Sequence, residues 1–244
     1  MPGGRDMREV RFGAEGVTLA GLLGVPGGEA VAGVVLVGGS GPSDRDDDGY
    51  FRSIRRYLLD AGIAVLSYEA ALDFLRAQSE VPDGAAGSFG HSEGGWVALR
   101  AAARDAPSWG HHQQLPWRDP CGFAEATRIV AEAGNPPGLA AFWTDVDAGG
   151  WEFLKRKQDH DPLPDALRLR CPRLAVFGGA DELVPVADSI RLFSDAACDG
   201  DRGHRVTLTV EVFPGADHRV RRDGVLAPGY LSTLARWIHA AARG

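Results

Sequence analysis

Three short runs of this chain are apolar without a break: Gly33 to Val37, Ile63 to Leu66 in the segment that ends at Ser67, and Leu174 to Phe177. A strand that faces water on one side alternates apolar and polar residues, so an unbroken run marks a strand buried on both faces. Such strands need helices above and below them. Helical segments do lie between the runs: Phe51, Ile54 and Leu58 recur at helical spacing, and Gly62 closes that helix before the second run begins. The chain is therefore expected to be an α/β protein with a mostly parallel sheet and helices on both faces.

The remaining elements follow the same alternation. Val10 and Phe12, then Val17, Leu19 and Leu23, predict an N-terminal β-hairpin around Gly13-Ala14-Glu15-Gly16. A short helix near Ala70 to Gln78 leads to a strand near Gly84 to Phe89 and a small-residue helix through Ala103. Later, Val186, Ile190, Phe193 and Ala197 share a helix face, and Val206, Leu208, Val210 and Val212 alternate as a strand. A last helix carries Tyr230, Leu234, Trp237 and Ile238. Residues 107–167 break this pattern with prolines, glycines and aromatics, and they are expected to be a cap inserted into a single domain of residues 1–244.

Charge and cysteine content narrow the function classes. Lys and Arg number 26 against 33 Asp and Glu, a net charge of -7, so there is no basic field for a nucleic acid or an anionic membrane. No Gly-Lys-Ser/Thr phosphate loop exists, because lysine occurs only at Lys155 and Lys157. Cys121, Cys171 and Cys198 form neither a disulfide framework nor a Cys-x-x-Cys site, which points to a reducing, cytoplasmic setting. No apolar run is long enough for a signal peptide or a membrane span.

The chemistry centres on Gly90-His91-Ser92-Glu93-Gly94, a Gly-x-Ser-x-Gly pattern between an apolar strand and a helix. In that context the serine occupies a strained turn, and the flanking glycines let strand and helix approach. A serine hydroxyl becomes a useful nucleophile only when a histidine takes its proton and a carboxylate fixes the histidine tautomer. Asp181 follows one buried strand and His218 follows the next, where parallel sheets place their active sites. Glu182 and Asp217 are the rival carboxylates.

Other motifs count for less. Asp44-x-Asp46-x-Asp48-Gly49 copies half of a calcium loop, but Arg55 stands where a bidentate glutamate is needed. Gly39-x-Gly41 has Asp44 in place of the third glycine of a dinucleotide fingerprint. His111-His112 lacks a carboxylate at ligand spacing. No metal and no cofactor is expected.

With these motifs in their order Ser, acid, His, the chain resembles the α/β-hydrolase superfamily. Gly38-Gly39-Ser40-Gly41-Pro42 is similar to the His-Gly-Ser-Gly-Pro oxyanion loop of bacterial esterases and of acyl-CoA-thioesterase-like or dienelactone-hydrolase-like members, with Gly38 in place of the histidine. The resemblance covers about Gly33 to Ser67, Ala71 to Arg104 and Leu167 to Ile238. It implies a serine hydrolase of carboxylic esters or thioesters, with Ser92, His218 and Asp181 as the triad. The backbone N–H groups of Glu93 and Ser40, or of Gly39, would form the oxyanion hole.

The expected partner is a small-molecule acyl substrate, and Trp117, Trp143 and Trp151 of the cap are candidates to line its pocket. Peptidase or acyltransferase chemistry on the same residues, and an inert binding protein of the same fold, are the alternatives. Two departures feed the last of these. The stretch after Ser67-Tyr68 is shorter than in relatives, and Ala106-Pro107-Ser108-Trp109-Gly110-His111-His112 has no apolar run, so the sheet is expected to lack a central strand after the elbow helix.

Overall fold

The computed structural model describes residues 6–14, 17–39, 44–67, 72–104, 109–112, 163–199 and 207–243. Their strands form an eight-stranded sheet: β1 (Asp6–Ala14), β2 (Val17–Val25), β3 (Ala32–Val37), β4 (Ile63–Ser67), β5 (Ala86–Gly90), β6 (Trp109–His112), β7 (Arg173–Gly178) and β8 (Leu208–Phe213). Its spatial order is β1-β2-β4-β3-β5-β6-β7-β8. The expected N-terminal hairpin is β1 with β2, and β2 joins β4 antiparallel. From β4 to β8 every pairing is parallel.

The unbroken apolar runs are buried on both faces. In β3, Ala32, Val34 and Leu36 join one core, and Val35 and Val37 join the other. In β7, Leu174 and Val176 join the first core, while Ala175 and Phe177 pack with Phe193 on the opposite side. Each such side chain contributes about 1.5–3 kcal/mol when fully buried.

Helices supply the covering layers. The first core takes α1 (Tyr50–Asp60), which turns Tyr50, Phe51, Ile54, Leu58 and Leu59 inward. The second core takes α2 (Leu72–Arg76), whose Leu75 reaches Gly33 so closely that a methyl there would stand 3.0 Å from it. The helix α3 (Glu93–Arg104) follows β5, and α4 (Leu163–Arg168), α5 (Val186–Cys198) and α6 (Tyr230–Ala241) complete the layers. Tyr50 of α1 and Tyr230 of α6 share a buried hydroxyl–hydroxyl hydrogen bond of 2.8 Å. Among the described residues no helix is long and apolar enough to cross a membrane.

The expectation of a missing central strand is corrected. β6 lies between β5 and β7, pairing Gly87 with Trp109 on one side and Gly110 with Arg173 on the other. A strand held on both edges is fixed by backbone N–H and C=O groups, which every non-proline residue carries, so it needs no apolar run. Neighbouring strands sit about 4.8 Å apart, so β6 restores the width that separates the loop after β5 from the loop after β7. Trp109–His112 and α4, expected inside the insertion at 107–167, therefore belong with the sheet; Ala166 of α4 is in its core. The rest of that insertion, Trp117, Trp143 and Trp151 included, lies outside the described residues.

Candidate active site

The strand ends of β3, β5, β7 and β8 carry the candidate residues. Between β5 and α3 the chain turns through His91 and Ser92, and Ser92 has φ of +55°. A non-glycine residue in the left-handed region costs about 1–2 kcal/mol, and it persists only where its surroundings enforce it. They do so here through the two glycines. A Cβ on Gly90 would overlap the backbone of Gly94, and a Cβ on Gly94 would overlap the carbonyls of Val37 and Gly38. The spacing of glycines in the motif is thus a packing requirement between β5, α3 and the end of β3.

The loop after β3 lies against this turn. A Cβ on Gly39 would approach Ser92 Cβ to 3.1 Å and His91 Nδ1 to 3.4 Å, and the His91 N–H donates to Val37 O at 3.0 Å. The Gly39 N–H donates to Asp47 Oδ1 at 3.4 Å. Ser40 lies outside the described residues. Glu93 is the first residue of α3, where backbone N–H groups point out of the helix end.

Asp181 and His218 meet. His218 Nδ1 lies 3.0 Å from Asp181 Oδ2 and 3.1 Å from Oδ1, and the carboxylate is only 2% exposed. Its Oδ1 also accepts the N–H groups of Leu183 at 2.9 Å and Val184 at 3.1 Å, which fixes its orientation. Facing a carboxylate that already accepts two backbone N–H groups, Nδ1 carries the proton and Nε2 the lone pair.

The two loops are joined by backbone as well. Gly179 N–H donates to Phe213 O and Ala180 N–H to Ala216 O, at 2.8 and 2.9 Å. Gly178 is packed so tightly that a Cβ would overlap the carbonyls of Ala216 and Asp217.

Neither rival carboxylate takes this place. Asp217 Oδ1 accepts the N–H groups of Arg219 and Arg221 and so closes the turn that carries His218. Glu182 is exposed. After His218, Val220 holds φ of +54° with its side chain buried, and Asp223-Gly224, both with positive φ, turn the short hairpin of β9 (Arg221–Arg222) and β10 (Val225–Leu226). A β-branched residue at positive φ is strained, as expected of a segment whose position is enforced from outside.

Sequence reasoning missed two residues. The His91 ring is buried and packs against the His218 ring at 5.1 Å and the Tyr50 ring at 4.8 Å, so the elbow and the histidine loop adjoin. Its Nδ1 lies 2.7 Å from Oδ2 of the buried Asp47. Burial pushes His91 below its ordinary value against the pull of Asp47, so its imidazole is neutral near pH 7. Burial works to raise Asp47, but contacts with His91, Arg219 and the Gly39 N–H outweigh it and hold the carboxyl below its ordinary value. The available signal was the Asp47-Asp48-Gly49 sequence, residues that tolerate left-handed backbone; all three have positive φ, from +48° to +81°.

The acidic run that copies half of a calcium loop is otherwise engaged. Asp46 pairs with Arg52 at 2.8 Å and Arg55 at 2.7 Å, and Arg55 also donates to Ser67 Oγ at 3.0 Å.

No family model matches the chain, and no curated protein matches it in sequence. Solved structures match it in fold. DcsB, in complex with its substrate analogue, superposes with a TM-score of 0.75 at 12% identity, covering 98% of this chain and all of DcsB. The Pyrococcus furiosus esterase Pf2001 gives 0.69 at 18% identity, over 97% of this chain and 91% of its own. A dienelactone hydrolase from Anabaena variabilis gives 0.60 at 20% identity, over 97% and 96%. The chain has the α/β-hydrolase fold.

Proposed function

We propose that the protein is a serine hydrolase of carboxylic esters or thioesters. The reading is carried by the Asp181 carboxylate held on His218 Nδ1, beside an elbow whose serine is in the left-handed conformation. Ser92 Oγ attacks the acyl carbon while His218 Nε2 takes its proton. The carbonyl oxygen gathers negative charge, which the N–H groups of Glu93 and Ser40 stabilise. Ser40 is preferred to Gly39 in that role because the Gly39 N–H donates to Asp47. Each such donor is worth about 2.7–4 kcal/mol in the transition state.

His218 then returns the proton to the departing alcohol or thiol, and an acyl-Ser92 ester remains. Water, deprotonated by His218, attacks that ester and releases the carboxylic acid and the free serine. Asp181 keeps its charge throughout and stabilises the imidazolium at both stages. Of the insertion expected at residues 107–167, Trp117, Trp143 and Trp151 are the candidates to line the acyl pocket.

The test is turnover of 4-nitrophenyl acetate together with labelling by a fluorophosphonate. Ser92→Ala should lose nearly all turnover, since without a triad member only about 10³ to 10⁴-fold catalysis over water survives. The label should add its mass at Ser92 in the wild type and be absent in His218→Ala. A folded wild-type protein that neither turns over the ester nor takes the label would refute the proposal.

A further inference from the structure

Three loops have to meet for the proposed reaction, and one buried carboxylate touches all three. Asp47 Oδ1 accepts the N–H of Gly39, on the loop after β3, at 3.4 Å. Asp47 Oδ2 stands 2.7 Å from Nδ1 of His91, on the elbow. Arg219, next to His218, brings Nη2 to 3.9 Å from Asp47 Oδ1 and to 3.2 Å from Asp48 Oδ2. Asp47 is 2% exposed and His91 3%, so neither contact is diluted by water. Around it the His91 ring packs on the Tyr50 ring at 4.8 Å, and the Arg219 guanidinium stands over Tyr50 at 5.9 Å.

The backbone supports the same reading. Asp47 and Asp48 sit at φ of +48° and +54°, and Asp47 delivers its N–H to Asp44 O and its carbonyl to the Tyr50 N–H. The loop is thus wound to aim one side chain inward, at the start of α1, where the helix fixes its origin. Strain of this kind is retained where it supports a working geometry.

We propose that Asp47 is a positioning residue, a brace that sets the loop after β3, the elbow and the histidine loop at the separation acyl transfer requires. The inference rests on the proposed hydrolase reading for its kinetic consequence but not for its structural one. Asp47 does not reach the substrate and moves no proton. It acts by holding the Gly39 peptide against Ser92, and by seating the His91 ring on which the His218 ring rests. Catalytic constellations tolerate about 0.5 Å, and a 1 Å misplacement costs about 10²-fold.

The experiment compares Asp47→Ala, Asp47→Asn and Asp48→Asn in the full chain. It uses kcat and KM on 4-nitrophenyl acetate, and hydrogen exchange at the Gly39 amide measured without substrate. Asp47→Ala removes all three contacts and should lower kcat about 10²-fold with KM changed by no more than about threefold. Asp47→Asn keeps the acceptor for Gly39 and the shape of the side chain, and should recover part of that loss. Asp48→Asn weakens only the 3.2 Å contact with Arg219 and keeps the Gly39 and His91 contacts, so its kcat should fall less than that of Asp47→Ala.

Gly39 exchange should accelerate in the order wild type, Asn, Ala, while amides of α6 stay unchanged. If Asp47→Ala does not fold, Asp47→Asn decides by the same two readouts. Unchanged Gly39 exchange, a change in KM alone, or accelerated exchange with wild-type kcat overturns the proposal. Should the wild type neither hydrolyse the ester nor take the fluorophosphonate label, the hydrolase reading fails. The brace is then decided by Gly39 exchange alone.

Discussion

Replacing Gly178 by alanine adds one methyl group where the acid loop and the histidine loop are closest. The added carbon would overlap the carbonyls of Ala216 and Asp217, which are backbone and cannot rotate away. Either β7 or the 216–217 segment has to move by more than about 1 Å to reach ordinary contact. His218 is the next residue on that segment, and Asp181 follows three residues after Gly178. Their contacts of 3.0 and 3.1 Å would stretch toward 4 Å, beyond hydrogen-bonding range.

Overpacking of this sort costs about 1–3 kcal/mol. For a chain of this size that lowers Tm by about 2–12 °C. The loss in kcat/KM should be about 10²-fold, the penalty for a 1 Å misplacement. The assay is scanning calorimetry beside ester turnover. Gly28→Ala serves as control: its added methyl meets nothing within 4 Å, and it should change stability by less than about 1 kcal/mol. A Gly178→Ala protein with wild-type Tm and turnover would show that the two loops are not set by this backbone contact.

Two further predictions concern charge. Asp181→Asn should reduce ester turnover by up to about 10⁴-fold, as loss of the tautomer-fixing acid does in a serine protease, while Glu182→Gln leaves it near wild type; equal effects would remove the assignment. Stability should fall on acidification, because His91 is held below its ordinary 6.5 in the folded state, so the unfolded chain binds the proton that the folded chain refuses. Its contribution is complete above about pH 6.5 and is lost as pH falls through the folded-state pKa, at a slope of at most about 1.4 kcal/mol per pH unit. Asp47, held below 3.8, adds a loss of the same sign at lower pH. Urea midpoints between pH 7.5 and 5 measure the His91 part, which His91→Asn should flatten; a midpoint that rises on acidification contradicts the burial argument.

The local pattern of residues determined the β-α alternation and the elbow. Burial leaves a direct trace in sequence: Gly33 to Val37 has no polar position because both of its faces are covered, and Gly90 and Gly94 are glycines because backbone occupies the space of a Cβ. The meeting of Asp181 with His218 was legible too, since each follows a strand of the parallel sheet, the buried β7 and the half-buried edge strand β8. Asp181 was also preferred to Asp217 there, but what separates them is side-chain direction, one carboxylate facing the imidazole and the other its own turn, which composition does not record.

β6 escaped for another reason. Its four residues are held by the ladders of β5 and β7, so what makes Trp109–His112 a strand lies in the neighbours and not in its own pattern. The Asp47 contacts with Gly39, His91 and Arg219 span loops that are distant in sequence, and only the tertiary structure decided them. Periodicity reports which face of an element is buried. It carries no record of which polar group, far along the chain, that face will meet.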